Sequence, residues 1–379
     1  MMNKLEKQTE ILLDWQKGIK HAPFSLHLFP TNKCNLKCMT CSLRGKEPYE
    51  ADKEVSKAQY VKLTNEAGKY GVQRIVITGG GEPLARYDTT KAITKVTKKH
   101  NMEGTLITNG TLFKEDLIKQ LVEIGWDYVQ ISLDGPDSKT QDFLRGKGTF
   151  RTIMKNIKLF NHWKSKLSKN LPEVELIPVV NSKNFDKLSE LLILANKNNI
   201  RHVTFQSLRV PDNKESRKLI LSKTQYKLFW THVKKAKELA FQLEIITNLE
   251  NLDKKIMEET SNLTAVINHD IKEQSKQKQD KLNKGLNKGH VDTFKNIACY
   301  QPWIEMIIKP DGLTGPCPPV ADNLHLNIKN NTLAEIWTSK QMEEFRKGII
   351  TGNIPECCER CCGNLILENR EIRKNVQTK

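Results

Sequence analysis

Six short runs that read as strands punctuate the first two thirds of the chain: SLHLFP (25–30), QRIVITG (73–79), GTLITN (104–109), YVQISLD (128–134), VELIPVV (174–180) and HVTFQS (202–207). The segments between them, such as KEVSKAQYVKLTNEAGKYG and LFKEDLIKQLVEIGW, carry apolar residues at helical spacing. Strands that are separated each time by a helix return parallel, because a tight turn can join only antiparallel neighbours. This alternation restricts the chain to the α/β class. Six units predict an open, partial (β/α)6 barrel of the TIM type over residues 25–245. With 379 residues, 38% of them hydrophobic, the chain can bury a core for one large domain and a smaller one.

Residues 1–24, opening with MMNKLEKQTEILLDWQKG, read as a charged amphipathic helix without a signal-peptide core. A further helix is expected near 224–242. Residues 246–295 form a polar, lysine-rich insertion, within which IKEQSKQKQDKLNKGLNKGH (271–290) has almost nothing apolar to offset the entropy of ordering it; a linker or a solvated helix end is expected there. In the second module, 296–365, WIEMIIKPDGLTGPCP (303–318) predicts two strands around a turn at Pro310 to Gly312, and TLAEIWTSKQMEEFRKGI (332–349) a helix. Residues 366–379 read as a tail. No apolar run approaches the roughly 20 residues of a membrane span, so a cytoplasmic protein is expected. The net charge of +17 is spread along the chain. Lysine outnumbers arginine, whereas arginine dominates where phosphate or base edges are recognised, so a nucleic-acid partner is disfavoured.

Nine cysteines, an odd number falling into tight groups, argue for metal ligation rather than a secreted disulfide framework. CNLKCMTC places Cys34, Cys38 and Cys41 on the segment after the first strand. A structural zinc site takes four ligands, so three thiolates leave it one short. A four-iron cluster held by three thiolates instead keeps one iron open to a small molecule. The loop lies at the carboxyl end of a barrel strand, where active sites collect. GGGEP (79–83), TNG (108–110) and ISLDG (131–135) close the next three strands, with FLRGKGTF (143–150) beyond them.

In order and spacing these motifs resemble the radical S-adenosylmethionine (SAM) enzymes, over residues 25 to about 210. The resemblance implies that Cys34, Cys38 and Cys41 ligate a 4Fe-4S cluster whose open iron is chelated by SAM. One electron then cleaves SAM, and the 5′-deoxyadenosyl radical abstracts a substrate hydrogen atom. It further implies that Gly80, Gly81 and Glu82 hold the SAM amino group, that Ser132 and Arg145 bind its carboxylate, and that Asn109 lies near its ribose. A flavodoxin- or ferredoxin-like protein would supply the electron. Thr40 stands where many members carry an aromatic residue, which touches only a packing contact against the adenine.

Cys299, Cys317 and ECCERCC (356–362) hold six further thiols. Cys358 and Cys361 form the C-x2-C pair that turns two thiolates toward one centre, which leaves Cys357 and Cys362 over. The arrangement resembles the twitch domain, a shortened SPASM domain, and implies an auxiliary 4Fe-4S cluster on Cys299, Cys317, Cys358 and Cys361. A zinc ribbon fits the same spacing. An auxiliary cluster with four protein ligands can take up an electron, so the expected chemistry is hydrogen abstraction followed by oxidation of a small polar metabolite. Peptide maturation and sugar epimerisation are the alternatives within the family, and a basic metal protein that binds nucleic acid is the alternative outside it. About 24 residues precede the first strand, short for a leader-binding domain, which favours the small molecule over a peptide. No catalytic side chain is assigned.

Overall fold

The computed structural model describes residues 3–41, 51–208, 214–251, 297–360 and 363–378. Cys361 and Cys362, and the predicted insertion from residue 252 onward, lie outside them. In chain order the first part runs α1 (Lys4–Gln16), β1 (Ser25–Leu28), α2 (Lys57–Tyr70), β2 (Arg74–Ile77), α3 (Tyr87–Lys99), β3 (Glu103–Thr108), α4 (Glu115–Glu123) and β4 (Tyr128–Ile131). Then follow α5 (Ser138–Arg145), α6 (Thr149–Lys166), β5 (Glu173–Leu176), β6 (Val179–Val180), α7 (Leu188–Lys197), β7 (His202–Val203), β8 (Gln206–Ser207), α8 (Lys214–Arg217), α9 (Lys223–Gln242) and β9 (Ile246–Thr247). The last part holds α10 (Gln301–Ile304), β10 (Glu305–Ile308), β11 (Leu313–Gly315), α11 (Pro318–Leu324), β12 (Leu326–Asn327), α12 (Leu333–Trp337), α13 (Lys340–Thr351) and α14 (Gly363–Thr378).

The strands form one sheet in the order β12-β11-β10-β1-β2-β3-β4-β5-β7-β9, parallel from β10 through β9. Among the described residues its two edge strands do not pair with each other, so the sheet is open. Alternation along each strand divides the side chains between the two faces. Leu26, Leu28, Ile75, Ile77, Leu106, Val129, Ile131, Val174 and Leu176 pack under the helices in one core. Ser25, His27, Arg74, Thr105, Gln130, Glu175 and Glu305 stand at the alternate positions and bond to one another across strands, as in Gln130 Nε2 to Glu175 Oε2 at 2.6 Å. Gly104 is required by its neighbour: a Cβ there would lie 2.3 Å from the ring of the fully buried Trp126.

Several elements differ from expectation. VELIPVV is broken into β5 and β6 because Pro178 has no N–H for the ladder, and HVTFQS breaks opposite it, so β6 and β8 form a separate two-stranded sheet. The helix expected over 332–349 is two helices. Ser339 starts α13 by accepting the Met342 N–H, and Trp337 is drawn aside to donate its indole N–H to the His21 carbonyl at 2.7 Å. Residues from 366 onward continue α14, whose buried Ile372 and Val376 pack on α1. The predicted hairpin at 303–318 forms, with Gly312 at φ +92°, but it extends the main sheet: Ser25 to Leu28 pair in register with Glu305 to Ile308. Arg346 ties this region together. Its guanidinium lies 4.8 Å from the Trp15 ring and 4.4 Å from the Trp337 ring, and it donates to the Pro302 and Trp337 carbonyls.

Candidate metal centre and active site

The loop carrying Cys34, Cys38 and Cys41 leaves the carboxyl end of β1 and is fastened from both sides. Upstream, Tyr60 donates its hydroxyl to the Phe29 carbonyl at 2.7 Å, and Arg86 Nη1 donates to the carbonyls of Pro30 at 3.0 Å and Val55 at 2.7 Å. Downstream, the Met39 N–H reaches the Leu144 carbonyl, and Ser216 Oγ donates to the Met39 carbonyl at 2.8 Å. The GGGEP turn presses directly on the loop. The N–H of Gly81 donates to Thr31 and that of Glu82 to Lys33, and a Cβ on Gly81 would stand 2.2 Å from the Lys33 carbonyl. Glycine is needed there for approach, since its φ is not in the left-handed region.

Glu82 is 2% exposed, and its carboxylate accepts three hydrogen bonds: Thr108 Oγ1 at 2.6 Å, the Asn109 N–H at 2.7 Å and the Leu84 N–H at 3.0 Å. Burial raises its pKa, against the pull of those donors and of the Arg145 charge. It therefore ties the end of β2 to the end of β3. Asn109 donates to Asn35 Oδ1 at 2.9 Å and points the same amide at Cys34 Sγ, 4.0 Å away, while Thr111 donates to its Oδ1. Ser132 lies at the next strand end, half-buried, with its N–H on the Thr108 carbonyl.

Arg145 does not offer an open fork. Its Nε and Nη2 pair with the two oxygens of Asp134 at 2.6 and 3.0 Å, and Asp134 is fully buried. The Val179 N–H and the Asn184 amide fix Asp134 in turn. Cys38 Sγ donates to the Arg145 carbonyl at 3.9 Å. The Cys38 thiol is pushed up to about 11 by burial, with Asp134, Cys41 and Cys34 adding to the rise and the Arg145 charge opposing it. The Cys34 thiol is also raised, by burial first and by Glu82 and Cys41 besides. Each of the three thiols thus lies close enough to the others to be felt electrostatically.

Among the described residues, no three His, Cys, Asp or Glu side chains converge tightly enough for a single metal ion. Three thiols on one loop, near one another yet not closing on a point, suit a cluster that takes each thiolate on a different iron. In the C-terminal region, Cys299, Cys317, Cys357 and Cys358 all pack against the apolar cluster of Tyr300, Trp303, Val320 and Phe345. Cys357, left over in the sequence reading, is therefore a neighbour of the expected ligands.

A family model described as the radical SAM superfamily matches residues 28–166, and one described as an iron-sulfur cluster-binding domain, SPASM, matches residues 299–362. The chain belongs to the radical SAM superfamily. Its C-terminal region is a SPASM or twitch auxiliary domain, and the cofactor set of that architecture is a SAM-binding 4Fe-4S cluster with an auxiliary cluster. Among curated relatives, Fe-coproporphyrin III synthase of Methanosarcina barkeri is 33% identical over 128 residues, 34% of this chain and 31% of that protein. Sporulation killing factor maturation protein SkfB of Bacillus subtilis is 31% identical over 194 residues, 49% of this chain and 44% of SkfB. The matches thus span less than half the length of either relative. In fold, Streptococcus suis SuiB bound to S-adenosylmethionine superposes with a TM-score of 0.61 at 17% identity, over 93% of this chain and 76% of SuiB. The protein named anSMEcpe, with bound AdoMet, gives a TM-score of 0.56 at 16% identity, over 94% of this chain and 97% of that one. Among the described residues no helix is long and apolar enough to cross a membrane.

Proposed function

We propose that this radical SAM chain cleaves SAM reductively, abstracts a hydrogen atom from a small polar metabolite and oxidises it by two electrons in all; an auxiliary cluster on the C-terminal thiols would supply the acceptor for the second electron, and the accompanying proton passes to water. The observation that carries the reading is the cysteine loop of β1 packed against the GGGEP turn and the Asn109 strand end, with a second group of thiols in the same molecule. Bound there, the cluster and SAM would supply a one-electron reduction and a hydrogen-abstracting radical. Cys34, Cys38 and Cys41 hold the cluster. The backbone of Gly80 and Gly81 offers carbonyl groups to the SAM ammonium, and Glu82 braces that backbone. Asp134 holds Arg145 by two of its nitrogens and so sets the direction in which the guanidinium meets a carboxylate. Ser132 Oγ and Asn109 complete the polar rim, on the strand ends of a partial six-unit barrel. Cys299, Cys317, Cys358 and Cys361 hold the auxiliary cluster. The site stands in a protein of cytoplasmic type.

A second reading, modification of a ribosomally made peptide, is favoured by the match to SkfB, a maturation protein, which covers 49% of the chain. The test of both is anaerobic reconstitution. Two 4Fe-4S clusters, about eight irons per chain, are expected. Replacing Cys34, Cys38 and Cys41 by alanine leaves about half of that iron and abolishes 5′-deoxyadenosine formation; continued formation would remove the site. A product two hydrogens short of a sugar or amino alcohol supports the first reading, and a mass change on a short peptide supports the second.

A further inference from the structure

We infer that Arg373, on the C-terminal helix α14, is a positioning residue of the auxiliary centre, an inference that rests on the auxiliary-cluster reading. Arg373 fastens the turn that carries Cys299, and its positive charge raises the reduction potential of a cluster held there. The iron-sulfur family model ends at residue 362 and α14 begins at Gly363, so this role lies outside the matched domain.

The spacing of side chains on α14 brings it to Cys299. Ile372 and Val376 stand one helical turn apart, fully buried, and seat the helix on α1. Asn369 and Arg373 also stand one turn apart, on the neighbouring stripe, and both bond to the turn at residues 297–300. Asn369, itself buried, accepts the Tyr300 N–H at 2.6 Å. Arg373 Nη2 donates to the Ile297 carbonyl at 2.9 Å. The backbone is thus held two residues before Cys299 and one residue after it. Arg373 also bonds to the hydroxyl of the fully buried Tyr300. Burial pushes that hydroxyl up to about 12; the charge and hydrogen bond of Arg373 oppose the rise, and Cys299 adds to it. Thiol and guanidinium therefore both lie within electrostatic reach of one hydroxyl.

Cys299 packs on the same apolar cluster as Cys317, Cys357 and Cys358, surroundings in which a charge is screened far less than in water. Reduction adds one negative charge to an iron-sulfur cluster, and a fixed cation beside it favours that form. The direction of the effect does not depend on a counter-ion, because removing the cation leaves the counter-ion behind. One electron enters the auxiliary centre when it is reduced, and no bond or proton moves at Arg373. A raised potential makes that centre the stronger acceptor for the second electron of the oxidation.

The experiment titrates the reconstituted chain and its Arg373→Gln and Arg373→Lys variants potentiometrically, with the reduced clusters followed by electron paramagnetic resonance. The Cys34/Cys38/Cys41→Ala variant, which keeps only the auxiliary centre, tells its signal from that of the cysteine loop. Arg373→Gln is expected to shift the ratio of reduced to oxidised auxiliary cluster about tenfold toward the oxidised form, a midpoint lower by about 59 mV for one electron. Arg373→Lys keeps the charge and stays near the wild-type midpoint, and the centre on the cysteine loop is unmoved in both variants. Loss of the auxiliary iron from Arg373→Gln alone, with Arg373→Lys loaded at the wild-type midpoint, also supports a role for the charge. An unchanged midpoint in Arg373→Gln overturns the inference. So does an equal displacement in the two variants, or loss of the auxiliary iron from both, since either makes Arg373 a packing residue. Absence of any cluster from the Cys34/Cys38/Cys41→Ala variant instead overturns the auxiliary-cluster reading itself.

Discussion

Asp134 and Arg145 form a buried two-pronged pair on the wall of the site, and removing one partner strands the other charge out of water. Asp134→Ala is expected to lower the unfolding free energy by about 3–5 kcal/mol, measured by urea denaturation. Asp134→Asn keeps one acceptor and loses less. Glu82→Gln turns an amide NH2 toward donors that the carboxylate now accepts, at a cost of about 1–3 kcal/mol. If SAM affinity falls in that variant while the unfolding midpoint stays put, the carboxylate binds SAM and is no brace. The grouping of the three thiols on one loop was legible because their spacing has few other uses. Asp134 was not, since an aspartate before glycine is also an ordinary turn former. What makes it structural is Arg145, eleven residues away, and only the folded chain brings the two together. Asn35 was missed for the same reason: its partner Asn109 comes from another strand end.

At the scale of elements, β1 to β4 were readable because each is a short run with apolar residues bounded by turn chemistry, in β2 to β4 with β-branched residues among them. The later strands were misread where Pro178 interrupts a run whose composition is otherwise that of a strand. The junction of β1 with β10 was invisible, because no local pattern says which strand will lie beside another. At that junction Glu305 lies 3.4 Å from His27 Nε2. Burial pushes its carboxyl up, but the charges of His27, Lys4 and Arg74 outweigh it and hold the pKa well below the ordinary 4.5. A carboxyl depressed on folding stabilises the fold above its unfolded pKa and loses that contribution as pH falls through the folded one. The advantage of the wild type over Glu305→Gln should therefore be full at pH 6 and shrink below about 4.5, followed by urea midpoints at each pH; a constant difference across that range would disprove the pairing. Gly104→Ala drives a methyl group into Trp126 and should cost about 1–3 kcal/mol, seen as a lower thermal midpoint.

In the whole molecule, the auxiliary region is joined to the catalytic region through a strand pairing as well as through packing. Arg346, between Trp15 of α1 and Trp337 of α12, adds a second clasp from the same region. A chain cut before Cys299 would bare the backbone of β1 and the buried Leu26 and Leu28 beside it, an edge of the kind that recruits other chains. Such a fragment should elute as aggregate in size exclusion, where an independent first domain would run as a monomer.

The same pairing sets a schedule during synthesis. Ser25 waits for Glu305, which follows 280 residues later (305 − 25), and at about 5–20 residues per second that is roughly 15 to 60 seconds on the ribosome. Throughout that interval the strand that launches the cysteine loop has one side unpaired. A cell that inserts iron before translation ends would be loading a loop whose base is only half built, so the order of delivery should run from completed sheet to filled site.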